Sequence, residues 1–195
     1  ILCIMPEGVK MRLLELRGLP VAVLIDFVHK HGGILGPAHP CGGKYLSFTN
    51  TKRYYKSPEL FKRFDFIEVF NACESAESNA RALKLAQKYK KPGIGGSDAH
   101  RPNCVGMGYT ILPERVTCET ELIALIRSKS SVIETGGSLY GKTTKDKMGK
   151  ADKILTYSFW FYNKAGTIMR KRKRMLNGKI ENPVDPIDPI ELKYM

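Results

Sequence analysis

From Pro20 to Glu134 the chain repeats one pattern: a helical apolar stripe, a glycine or proline break, a short apolar run, then a polar motif. This order narrows the fold sharply. A strand, a helix and a second strand in succession imply parallel pairing through a right-handed crossover. Pro20 to His31 reads as a helix with Pro20 at its first position and Val21, Leu24, Ile25 and Val28 on one face. Gly32-Gly33 ends it, and Ile34-Leu35-Gly36 follows as a short buried strand. Ser57-Pro58-Glu59 opens a further helix that stops near Phe64, with Ser57 as its cap. Phe66 to Phe70 is a strand, Glu77 to Tyr89 a helix, Ile94-Gly95-Gly96 a strand and Tyr109 to Leu112 another. Thr117 caps a helix through Ser128, and Val132-Ile133-Glu134 closes the series.

The 195 residues suffice for one sizeable domain, or a domain with an appendage. A hydrophobic fraction of 43% and a charged fraction of 26% are those of an ordinary water-soluble chain. No apolar run approaches the roughly 18 residues of a membrane span. Ile1 to Met5 is too short, and lacks the basic flank, for a signal peptide. A first residue other than Met is what a fragment would show. Cys3, Cys41, Cys73, Cys104 and Cys118 are scattered, without a C-x-x-C pair. The expectation is reduced thiols and a cytoplasmic location.

Beyond Gly136-Gly137 the character changes, so residues 1–136 and 137–195 are read as two regions. Residues 139–174 hold 11 Lys or Arg against Asp146 and Asp152, so they carry +9 of the net +13. The aromatic stretch Ile154–Tyr162 precedes Arg170-Lys171-Arg172-Lys173-Arg174. That run is a candidate nucleic-acid contact, with the aromatics as a stacking surface. The plainer alternative is a packed strand beside a solvated charged face. Pro183, Pro186 and Pro189 make the end extended.

Three motifs stand just past predicted strands, where α/β folds place their sites. In Gly96-Ser97-Asp98-Ala99-His100, Asp98 and His100 are two apart and share a side of an extended segment. A carboxylate with an imidazole is a normal ligand pair for zinc, manganese or iron. In Gly36-Pro37-Ala38-His39-Pro40, His39 is flanked by proline and small residues that hold it rigidly. Each motif alone fits a surface turn or a satisfied core histidine. Their shared position at one end of a parallel sheet favours a metal. Glu68, in Phe66-Ile67-Glu68-Val69-Phe70-Asn71, lies opposite Ile67 and Val69 inside an apolar strand. It either holds a ligand histidine in its tautomer or forms a buried ion pair with Arg81 or Lys84. Asn71 lines the same strand end. Arg101 and Lys44 are candidate phosphate contacts or surface cations, and Cys41 is a small buried residue. His29 and His31 are about 200° apart on a helix and cannot grip one metal.

Taken in this order and spacing, Gly-Pro-Ala-His-Pro, Ile-Glu-Val-Phe-Asn and Gly-Gly-Ser-Asp-Ala-His resemble the C-terminal half of the PHP (polymerase and histidinol phosphatase) family over about residues 20–135. The resemblance implies a partial or truncated distorted (βα)7 TIM-like barrel with a basic C-terminal extension. It also implies a centre of two or three divalent ions (Mn, Fe or Zn), with His39, Asp98 and His100 as ligands. It carries no direct ligand role over to Glu68. The family's opening His-x-His strand and its other first-half ligands have no counterpart here.

What the resemblance implies functionally is a metal-dependent phosphoesterase that acts through metal-activated water. Its substrate would be a nucleotide, an oligonucleotide end or a small-molecule phosphate. The alternative is a non-catalytic remnant that presents the basic segment to nucleic acid or an acidic partner. A truncated barrel leaves a bare sheet edge, which a second copy of the chain would cover.

Overall fold

A computed structural model describes residues 1–10, 19–42, 47–128 and 134–141. It also describes Ile154, Ser158, Phe161, Tyr162, Ala165, Gly166, Ile168, Met169 and Arg172. Lys44, Val132, Ile133, Trp160, the rest of the run Arg170–Arg174 and the proline-rich end fall outside the described residues.

The strands are β1 (Leu2–Ile4), β2 (Ile34–Gly36), β3 (Ile67–Asn71), β4 (Gly93–Gly96), β5 (Gly108–Ile111) and β6 (Glu134–Gly137). The helices are α1 (Val21–Lys30), α2 (Lys52–Lys56), α3 (Ala76–Tyr89) and α4 (Glu119–Ser128). Short 3-10 turns at Phe48–Asn50, Pro58–Arg63 and Pro102–Cys104 complete the order.

Local chemistry explains most of these boundaries. Pro20, extended at φ −56° and ψ 137°, stands one place before α1 rather than inside it. Gly32 at φ +78° ends the helix, as only glycine does without strain. Gly32 and Gly33 then donate to the carbonyls of His29 and Val28, both at 3.0 Å, which satisfies two orphan acceptors of the last turn. At α3, Ser75 accepts from the Ser78 amide at 3.2 Å, and Lys90 in the left-handed region closes the helix ahead of Pro92. Two predicted caps act differently. Ser57 makes no side-chain cap, and the segment after it winds as a 3-10 turn that buries Leu60 and Phe61. Thr117 instead donates from its amide (2.7 Å) and its hydroxyl (2.9 Å) to the Glu121 carboxylate. Those donors hold the Glu121 carboxyl below the usual range.

Strands β3 and β4 pair in parallel with α3 between them, in the register Ile67↔Gly93 to Asn71↔Gly96. This is the crossover that the sequence order predicts. The parallel expectation fails elsewhere. Strand β1, which the sequence reading missed, runs antiparallel to β2 (Leu2↔Gly36 to Ile4↔Ile34). β6 doubles back antiparallel along β5 (Gly108↔Gly137 to Ile111↔Glu134). Gly136 and Gly137 allow that close return: a Cβ on either would strike the Tyr109 ring or the Met107 carbonyl.

Each ladder has two strands, and side chains bridge the pairs. Between β2 and β3, the Asp65 amide donates to the Leu35 carbonyl at 2.9 Å, while the Asp65 carboxylate accepts from the Leu35 amide at 2.9 Å. Between β4 and β5, the Thr110 hydroxyl accepts from the Gly95 amide (2.9 Å) and donates to the Gly95 carbonyl (2.8 Å).

The main core gathers Ile25, Val28, Leu35, Phe48, Leu60, Phe61, Phe64, Ile67, Val69 and Ala86. Its centre is aromatic. Phe61 meets Phe48 and Phe64 edge-on, with centroids 5.2 and 5.8 Å away, and stacks on Tyr89 at 5.2 Å. A second cluster, Ile34, Phe66, Ile123 and Ile126, fixes α4 against the strand ends. The described residues between Ile154 and Arg172 are helical, which replaces the strand alternative for this stretch. Phe161 and Tyr162 there are 69% and 75% exposed, so they are not packed. No helix among the described residues is long and apolar enough to cross a membrane.

Candidate metal centre

The exit of β2 is rigid. Pro37 and Pro40 are fully buried, and His39 between them takes φ +30°. A left-handed non-glycine residue costs about 1–2 kcal/mol and persists only where its surroundings fix it. Here the His39 amide donates to the Glu68 carboxylate, and the His39 carbonyl accepts from Gly42 at 3.0 Å. The ring Nδ1 lies 3.4 Å from the Ser47 hydroxyl.

Glu68 is 5% exposed, at the centre of the strand ends. Arg81, the proposed ion-pair partner, turns instead to the Cys41 carbonyl at 3.0 Å and the Ser78 hydroxyl at 3.2 Å. Glu68 therefore meets neutral donors: the His39 amide and the Asn71 side-chain amide at 3.1 Å. It holds the main chain of His39, not the ring as the tautomer reading supposed. Burial pushes its carboxyl above the usual range, and the nearby charge of Asp98 adds to this. Donation from the His39 amide and the Asn71 side chain opposes the rise.

Asn71 is 1% exposed and uses every polar atom. Its Nδ2 donates to Glu68, and its Oδ1 accepts from Cys73 at 2.9 Å. Its main chain exchanges bonds of 3.0 and 3.1 Å with the Asn79 side chain on α3.

At the exit of β4, Asp98 sits at φ +47°, a second left-handed non-glycine residue. The Nδ1 of His100 lies 2.7 Å from the Asp98 carbonyl. A carbonyl only accepts, so Nδ1 carries a proton, and in the neutral ring the lone pair is then on Nε2. That tautomer is the one an Nε2 ligand requires. Tyr140 completes the turn: its hydroxyl is 2.8 Å from the carbonyls of both Ser97 and Asp98. Burial raises the Tyr140 phenol above its ordinary value, with the neighbouring Cys73 thiol contributing.

These exits converge on one edge. The Ala72 amide donates to the Gly96 carbonyl at 3.0 Å, and a Cβ on Gly96 would lie 3.1 Å from Glu68 Oε1. His39, Glu68 and Asp98 thus share a neighbourhood, and His100 follows on the exposed side. Imidazole and carboxylate donors suit a divalent transition metal. Among the described residues, no group of three or more His, Cys, Asp and Glu is already arranged to hold a metal ion. The donor chemistry fits one side of a centre rather than a closed ligand set. Arg101 is exposed beside this edge, where it begins the Pro102–Cys104 turn.

The other histidines are structural. His29 Nε2 is 2.8 Å from the Asp65 carboxylate. His31 donates from Nδ1 to the Phe27 carbonyl at 2.8 Å and packs on the Phe27 ring. None of the five cysteines forms a disulfide, and Cys41 is buried, which raises its thiol pKa.

Residues 76–131, from α3 through α4, match a family model described as PHP-associated. The match covers 56 of the 195 residues and supports a C-terminal, PHP-associated region over that segment. The PHP-associated segment contains Asp98, His100 and Arg101, while His39, Glu68 and Asn71 precede it. No curated protein and no solved structure matches the chain. Tyr140, Ser47 and Asn79 escaped the sequence reading. Each acts through one hydroxyl or amide at a distant loop, and no periodicity marks such a contact.

Proposed function

We propose that the chain contributes to a metal-dependent phosphoesterase, with His39, Asp98 and His100 as the ligands it supplies. One observation carries this reading: the buried Glu68 carboxylate ties the His39 turn to the β3 end beside Asp98, so two strained exits face one edge. The PHP-associated segment supports it from an independent direction. A bound divalent ion (manganese, iron or zinc) would supply hydroxide from water near neutral pH and a counter-charge for the phosphoryl oxygens. The chain's own residues do the placing. His100 presents Nε2, Asp98 presents a carboxylate, and the prolines around His39 remove its freedom to swing away. Arg101, directly after His100, would meet a substrate phosphate, whether of a nucleotide, an oligonucleotide end or a small phosphate ester.

The test is metal analysis by mass spectrometry after loading with manganese, iron or zinc, paired with hydrolysis of a panel of phosphoesters. The expected result is metal uptake that falls in His39→Ala, Asp98→Ala and His100→Ala. No metal retention, together with no turnover of any ester, overturns the proposal.

A second reading rests on a separate observation. Exposed Phe161 and Tyr162 and the basic Arg172 lie on helical residues within the segment that carries +9. Such a surface suits a nucleic-acid backbone with unstacked bases.

A further inference from the structure

Two strained turns meet at the candidate centre, and they are secured differently. The His39 turn is held by a buried carboxylate and two prolines. The Asp98 turn has no comparable packing: Asp98 is 30% exposed and His100 is 53% exposed. What secures it comes from 42 residues further on. The Tyr140 amide donates to the Ala72 carbonyl at 2.9 Å, which anchors the tyrosine just past the end of β3. Its hydroxyl then reaches the Ser97 and Asp98 carbonyls, each at 2.8 Å. The Asp98 carbonyl is also the acceptor for His100 Nδ1. One oxygen therefore joins the tyrosine hydroxyl, the left-handed Asp98 backbone and the tautomer of His100.

We propose that Tyr140 is a positioning residue for the Asp98–His100 turn, holding the Asp98 carbonyl where it selects the Nε2-available form of His100. The role rests on the metal-ligand reading above. A free carbonyl at a left-handed residue would relax toward ordinary backbone geometry, and His100 would lose its fixed acceptor. Partners of this kind around a ligand histidine are commonly worth about 10–100-fold in metal affinity. Tyr140 touches no reacting group, so its effect reaches the site through the Ser97 and Asp98 carbonyls.

The experiment compares wild type, Tyr140→Phe and a variant with 4-aminophenylalanine at position 140, which returns an N–H donor on the same ring. Cobalt(II) titration followed by visible absorption reads affinity. Long-range 1H–15N correlation spectra of the metal-free protein read the His100 tautomer. The expected result is one Nδ1-protonated form in wild type, mixed tautomers in Tyr140→Phe, and cobalt binding about 10–100-fold weaker in that variant. The 4-aminophenylalanine variant should recover most of both. Equal cobalt affinity in wild type and Tyr140→Phe overturns the proposal, and so does failure of the amino variant to restore it. If wild type takes up no cobalt, the metal reading fails by itself and the spectra decide: an unchanged His100 tautomer in Tyr140→Phe overturns the positioning role, and a mixed one sustains it.

Discussion

The main-chain amide of His39 donates into the side-chain carboxylate of Glu68, so the turn after β2 hangs from a β3 side chain. A buried acid thus does structural work through a histidine backbone while the imidazole stays available. Three of the consequences below follow from this edge.

Glu68 makes stability fall as pH rises. Burial lifts its carboxyl above the ordinary value, so the folded chain keeps a proton that the unfolded chain releases. The stabilisation is complete below the ordinary carboxylate pKa and is lost as pH climbs through the raised one. Glu68→Gln removes the titration and keeps an oxygen for the His39 amide. Urea midpoints of the metal-free protein between about pH 4 and pH 8 should decline in wild type and stay flatter in the variant. Parallel declines would show that Glu68 is not the group responsible.

Asn71→Ala should be costly for its size. It strands the Cys73 amide and takes one of the two neutral donors from the Glu68 carboxylate. A buried group left without its partner costs about 1–3 kcal/mol. The expected loss in denaturant unfolding is about 2–4 kcal/mol at neutral pH, since two groups are affected. A loss under about 0.5 kcal/mol would mean that water replaces both contacts.

Gly36→Ala tests the seam between β2 and β3. A Cβ at Gly36 would collide with the Phe66 carbonyl and ring. Both neighbours are buried, so β2 must move outward and carry His39 with it. The expected cost is about 1–3 kcal/mol of stability, as for overpacking elsewhere, with metal uptake falling in parallel. Uptake unchanged in a destabilised variant would separate the His39 position from this seam.

For the nucleic-acid reading, affinity for single-stranded oligonucleotides should fall steeply with salt. Replacing the five basic residues Arg170–Arg174 by alanine should make the log–log slope shallower by up to about 3.5. Identical slopes would leave the run as a solvated face.

Much of the candidate site was legible in the sequence, because its signals are local. Proline on both sides of His39, glycines ahead of Asp98 and an acid inside an apolar strand can each be read from neighbours in the chain. The β3–α3–β4 unit was legible for the same reason, since its periodicities and breaks are contiguous. Strand β1 was not, as three residues carry no period. Nor was the reversal of β6, which depends on two glycines finding space against Tyr109 and Met107. The contacts of Glu68 were half legible: burial of an acid demands partners, but a backbone amide and an asparagine were chosen over Arg81 or Lys84, and sequence cannot rank those options. Tyr140 was invisible because its amide and hydroxyl find their acceptors only through tertiary structure.

The hydroxyl of Thr110 has a mechanical meaning as well. It fastens Gly95 at both its amide and its carbonyl, where two adjoining strands would otherwise share a ladder. A rotation about one side-chain bond is enough to unlatch that joint. The strand that leads into the Asp98 turn then has a hinge pin, and hydrogen exchange at the Gly95 amide would report how often it slips.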